Sequence, residues 1–80
     1  MIKPSKYTDI NLSIFSVSFS IVSLLKVNRV LKYDELLDKV LLVKGERAKE
    51  MFLPSLNFLF SLGKVEYYSE LDIFELNLWN

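Results

Sequence analysis

The chain contains no cysteine and no histidine. Without cysteine there is no disulfide framework, thiolate nucleophile or zinc knuckle. Without histidine, the usual general base at neutral pH and the commonest metal ligand are both missing. The two glycines, Gly45 and Gly63, are isolated, so nothing fits a Gly-rich phosphate loop. Asp34, Glu35 and Asp38 bring three carboxylates close in sequence. Their spacing suits a solvated helix start, where the helix dipole favours acids, better than a hard-cation site. The expectation is a protein that is not an enzyme and uses no metal, cofactor or small-molecule substrate.

What is present is apolar. The 80 residues suffice for one small domain, spanning 1–80. A chain this short hides only about 60% of the surface its unfolded form exposes. Yet 51% of its residues are apolar and 14% are aromatic, with a mean hydropathy of +0.26. Some of that surface is left facing outward, where a membrane or a partner protein has to cover it.

Charge is balanced in total but not along the chain. Residues 1–32 carry Lys3, Lys6, Lys26, Arg29 and Lys32 against Asp9. From residue 46 onward, Glu46, Glu50, Glu66, Glu70, Asp72 and Glu75 face Arg47, Lys49 and Lys64. One end is basic and the other acidic, which suits two different neighbours.

The segment LSIFSVSFSIVSLL, residues 12–25, is the least obvious element. Ile10 to Leu25 carries no charge, but it falls short of the roughly 20 apolar residues of a spanning helix and holds five serines. No small-residue cleavage site follows it, and Lys26 and Arg29 come directly after, so neither an export signal nor a membrane segment is expected. A cytoplasmic location agrees with the missing cysteines. The centre alternates as a strand would. At 100° per residue, however, Ser13, Ser16, Ser20 and Ser23 fall within about an 80° arc, so a helix accounts for the whole stretch. This predicts a first helix over 11–27 with Asn11 as N-cap, after an arm over 1–9. Its apolar arc is about twice the width that faces one core. The serine stripe faces water or admits another backbone, and its polarity favours water.

Val30-Leu31 is a short β-prone pair. Leu36, Leu37, Val40 and Leu41 form one face of a second helix over 33–44, which Gly45 stops. A third helix is predicted over 49–62, regular from about Met51, with a looser lead-in over 45–50 because Pro54 is tolerated only near a helix start. Met51, Phe52, Leu56, Leu59 and Phe60 share its inner face, which Phe58 and Leu62 widen. Residues 64–79 read as a hairpin, with alternation in 64–68 and 73–79 around a turn at 69–72. Val65, Tyr67, Phe74, Leu76 and Leu78 fall on one side. The fold class is mainly α with a small β-hairpin (α+β). Helix, short strand, helix, helix, hairpin is the winged helix-turn-helix order, with the hairpin as wing.

A winged helix raises the question of DNA. Duplex affinity rests on Lys and Arg meeting phosphates, and base readout needs polar groups on the helix in the groove. The third helix offers Ser55, Asn57 and Ser61 in an apolar setting, and the wing is acidic. Contact with nucleic acid would have to use Lys3, Lys6, Lys26, Arg29 and Lys32, and inside a larger complex it would be non-specific. A small winged-helix DNA-binding regulator is thus the alternative function, and a membrane-active small protein is a third.

Three stretches carry a family resemblance. Met1-Ile2-Lys3-Pro4-Ser5-Lys6, Tyr33-Asp34-Glu35-Leu36-Leu37 and the aromatic-rich run from Phe52 through Leu62-Gly63-Lys64-Val65 resemble the small middle components of bacterial ABC-three-component systems. The resemblance implies a conflict system against phage or plasmids, of which Lamassu-type systems are an example. Such systems pair an SMC-like ABC ATPase with an effector, often a nuclease. It also implies that this chain is a non-catalytic subunit joining or restraining the other two. The candidate contact residues are Phe15, Phe19 and Val22 on the first helix, the arm at Pro4, Ser5 and Lys6, and the aromatics Tyr68 and Trp79.

Overall fold

The computed structural model describes residues 6–77, with side chains from residue 13 onward. The elements run α1 (Lys6–Asn28), β1 (Val30–Lys32), α2 (Tyr33–Lys44), α3 (Ala48–Ser61), β2 (Val65–Tyr68) and β3 (Ile73–Leu76). Three helices pack with one small antiparallel sheet of order β1-β3-β2. The protein is mainly α with a β-hairpin, as expected.

α1 is longer than its serine pattern suggested. It starts at Lys6, so Asn11 lies inside the helix and is not its N-cap. Residues 6–9, expected in the arm, are helical; no Pro or Gly interrupts 6–10. At its other end the Arg29 N–H donates to the Leu25 carbonyl at 2.9 Å, with Arg29 at φ 68. Asn28 Nδ2 donates to the Leu24 carbonyl at 2.8 Å. The last carbonyls are therefore capped by a backbone amide and a neutral side chain.

β1 leads directly into α2. The Lys32 N–H donates to the Glu35 carboxylate at 3.0 Å, one half of a capping box. α2 closes where the Gly45 N–H donates to the Leu41 carbonyl at 2.8 Å. α3 then begins at Ala48, earlier than Met51, and runs through Pro54. Pro54 has no amide for the Glu50 carbonyl, but both residues are on the exposed side of α3. The Glu50 carbonyl on that side is open to solvent, so the missing bond costs less than it would in the interior and the helix continues. A Schellman turn ends it, with Gly63 N–H to the Phe60 carbonyl at 2.9 Å and Lys64 N–H to the Leu59 carbonyl at 3.0 Å. Gly63 takes the left-handed conformation this needs, at φ 71.

The hairpin pairs Val65 with Leu76 and Tyr67 with Phe74, while β1 sets Leu31 opposite Phe74. Period-2 geometry then puts Leu31, Val65, Phe74 and Leu76 toward the helices. The core is made of Val17, Ile21 and Leu25 of α1, Leu36 and Val40 of α2, Phe52, Leu56 and Leu59 of α3, and the inward strand residues. Fully burying a side chain such as Phe52 contributes about 1.5–3 kcal/mol. The Tyr33 ring meets Phe52 edge-on, with centroids 5.3 Å apart, so α2 and α3 lock at that point.

Two packing expectations are corrected. Ser20 of the serine stripe is buried, as is Ser18 outside it, and Ser13, Ser16 and Ser23 are half-buried. It is Ser18, outside the stripe, that meets the backbone of α3, while Ser13 and Ser16 border a recess with Lys44, Arg47, Ala48 and Met51. Ser55 Oγ donates to the Ile14 carbonyl at 3.2 Å, and Ser18 Oγ donates to the Ser55 carbonyl at a longer 3.5 Å. Phe60, expected on the inner face of α3, is exposed and stacks over Phe74 with centroids 6.2 Å apart. The α1–α3 contact takes the positions around Ser55 and rotates Phe60 toward the hairpin.

Candidate protein–protein interface

The core positions of α1 recur every fourth residue at Val17, Ile21 and Leu25. That narrow stripe leaves the adjoining apolar side of the helix without a place inside. Phe15 is 56% exposed and Phe19 74%. Four residues apart, they are neighbours on one face. Val22, one turn further, is half-buried and packs against the core.

α3 extends this surface. The Phe58 ring meets Phe15 edge-on at 5.4 Å, and Leu62, four residues beyond Phe58, is 51% exposed. Phe19, Phe15, Phe58 and Leu62 thus form one apolar ridge across two helices. Lys26 and Arg29, both exposed, stand at the C-terminal end of α1. Of the ridge residues, sequence reasoning singled out Phe15 and Phe19. Phe58 and Leu62 were noticed only as widening the α3 face. Leu42, 86% exposed, and its neighbour Val43 at the end of α2 were missed. The signal was there: Val40-Leu41-Leu42-Val43 is apolar on more sides than one core can use.

The hairpin has a different surface. Glu66 and Glu75 sit directly opposite each other across β2 and β3, a like-charge pairing that is unfavourable by itself. The Tyr68 hydroxyl lies between them, 2.8 Å from Glu66 Oε2 and 3.1 Å from Glu75 Oε1. Its single proton serves both carboxylates, and Glu66 first of all, then Glu75, pushes the Tyr68 pKa up to about 12. Tyr67 donates to Asp72 Oδ1 at 2.6 Å, which raises its pKa as well. Tyr68 is thus exposed but engaged with its own strand neighbours.

The other expected contact residues divide clearly. Lys3, Pro4, Ser5 and Trp79 lie outside the described residues, and Lys6 is described only as the first residue of α1. Lys26 and Arg29 border one recess together with Leu25, Glu75 and Leu76. Lys32 is exposed on β1, opposite Ile73. The outward side of α3 presents Leu53, Asn57 and Phe60. Among the described residues, no group of three or more carboxylate side chains is placed to hold a metal ion. Among them, too, no helix is long and apolar enough to cross a membrane.

Residues 29–77 match the model of one protein family, described as ABC-three component (ABC-3C) system Middle Component 8. No curated protein and no solved structure matches. The matched span takes in β1, α2, α3 and the hairpin, with Phe58 and Leu62, and leaves α1 with Phe15 and Phe19 outside it.

Proposed function

The chain belongs to the ABC-three component system Middle Component 8 family, and from that premise we propose that it is a non-catalytic adaptor. As a middle component it has an accessory role among protein partners. In the proposed reading those partners are an SMC-like ABC ATPase and an effector, most simply a nuclease, within a defence system against phage or plasmids. The chain links or regulates them through contact surfaces and contributes no reacting group of its own.

The observation that carries this reading is the ridge of Phe19, Phe15, Phe58 and Leu62. Phe15, Phe19 and Leu62 are exposed, and half-buried Phe58 joins them across the two helices. Such an apolar surface is costly for a protein that works alone, and aromatics of this kind are the usual anchors of an interface. The element order and the β1-β3-β2 sheet support a winged-helix description, with α3 where a recognition helix would be. The side chains do not support the DNA reading that this fold invites. α3 turns Leu53, Asn57 and Phe60 outward, and the hairpin carries Glu66, Glu70, Asp72 and Glu75.

The test is co-expression with the products of the neighbouring genes, followed by native mass measurement. A stable hetero-complex is expected, and Phe15→Asp with Phe19→Asp removes this chain from it. Both positions are largely exposed, so the double variant keeps its fold apart from the Phe15–Phe58 ring contact, worth about 0.5–1.5 kcal/mol. A chain that is monomeric alone and has no affinity for those products overturns the proposal.

A further inference from the structure

The ridge does not end at apolar residues. Along α1, Phe15, Phe19, Val22 and Lys26 follow at spacings of four, three and four, which places them on one face. Arg29 joins Lys26 at the rim of the recess floored by Leu25 and Leu76. The surface is apolar at one end and cationic at the other, with Phe19 and Lys26 about 10 Å apart along the axis.

The two cations are not consumed within the described residues. The α1 carbonyls beside them are capped by the Arg29 backbone amide and by Asn28, so the cationic side chains are not needed there. Neither Lys26 nor Arg29 forms an ion pair among the described residues. Glu75, the acid at the same recess, accepts the Tyr68 hydroxyl instead.

The geometry points to one kind of occupant: an amphipathic helix of a partner protein, carrying carboxylates about two turns from its apolar anchors. The inference rests on the adaptor reading and deepens it. A segment lying on a helix face finds no free backbone donors or acceptors there, because those of α1 are used internally. Its own amides and carbonyls must be satisfied within the segment, which a helix does and an extended strand does not. Its apolar face covers Phe15, Phe19, Phe58 and Leu62. Its Asp or Glu side chains enter the recess between Lys26 and Arg29, which sets the direction in which it lies.

The experiment uses the full chain and overlapping peptides that tile the sequences of the other two components of its system. The expected result is a peptide that becomes helical on binding and carries acids two turns from its apolar residues. Lys26→Glu with Arg29→Glu should weaken its binding at least about tenfold, and exchanging the peptide's acids for lysines should restore binding to that variant. Equal binding by the charge-reversed variant, a bound peptide without acids, or no bound peptide at all overturns the inference. If Phe15→Asp with Phe19→Asp abolishes assembly while the charge reversal leaves it intact, the adaptor reading stands and this inference fails. If the complex forms and neither variant affects it, this inference fails and the ridge is not the contact surface, while the adaptor reading stands. If no complex forms at all, both fail.

Discussion

The side chain of Ser55, fully buried in α3, donates a hydrogen bond to the Ile14 carbonyl 41 positions earlier, at 3.2 Å. This contact, with Ser18 answering from α1, sets how closely the two helices approach. Ser55→Ala removes one buried hydrogen bond and little volume, so a loss of about 1 kcal/mol is expected in urea denaturation. Ser55→Leu forces the helices apart and should cost more, about 1–3 kcal/mol. A leucine variant as stable as the parent would show that the crossing is not tightly packed.

Arg29 and Gly63 occupy equivalent places just past α1 and α3, at φ 68 and φ 71. Arginine has a Cβ in a conformation that disfavours it by about 1–2 kcal/mol, whereas glycine carries no such penalty. Arg29→Gly should therefore stabilise the fold by about 1 kcal/mol, and Gly63→Ala should destabilise it by a similar amount. Thermal unfolding of both variants checks the opposite signs. Two shifts of the same sign would refute the assignment.

Tyr68 should titrate late. Its folded pKa of about 12 lies above the ordinary 10.0 because its proton is shared with Glu66 and Glu75. The contribution of this contact to hairpin stability is thus fully present below pH 10.0 and is lost as pH rises through about 12. Comparing tyrosinate absorbance of the parent and Tyr68→Phe isolates this step. A difference spectrum with its midpoint at the ordinary tyrosine value would mean that the two carboxylates do not hold the hydroxyl.

The free chain should not bind duplex DNA tightly at about 150 mM salt. Glu66, Glu70, Asp72 and Glu75 repel the phosphates that a wing grips, and Leu53 and Phe60 offer no base readout. Mobility-shift titration over a salt series measures this. Tight binding with a steep salt dependence would instead favour the DNA-binding regulator.

Much of the local structure was legible because the signals were local. α2 follows from Asp34 and Glu35 in its first turn and from Gly45 after its last, and the hairpin follows from alternation on both sides of 69–72. The same logic misjudged α1 and α3 where the signal was not local. Asn11 has the residue type of an N-cap, but no Pro or Gly interrupts residues 6–11 and the helix already runs from Lys6. Pro54 places the expected start of regular α3 near Met51, but the helix begins at Ala48 because exposure at Pro54 and Glu50 makes the missing bond cheap.

By itself the sequence determined the helical period of residues 12–25, the fold class and an apolar excess beyond the needs of one small core. It did so because composition and periodicity are properties of neighbouring residues. Only the tertiary structure decided which side of that excess became surface. Ser18 and Ser55 lie 37 positions apart, and their close approach set Ser18, a serine outside the stripe, against α3. The same crossing left Phe15 and Phe19 facing out, next to Phe58. A contact between distant residues leaves no periodic trace in either segment, so the ridge became visible only once the helices were packed.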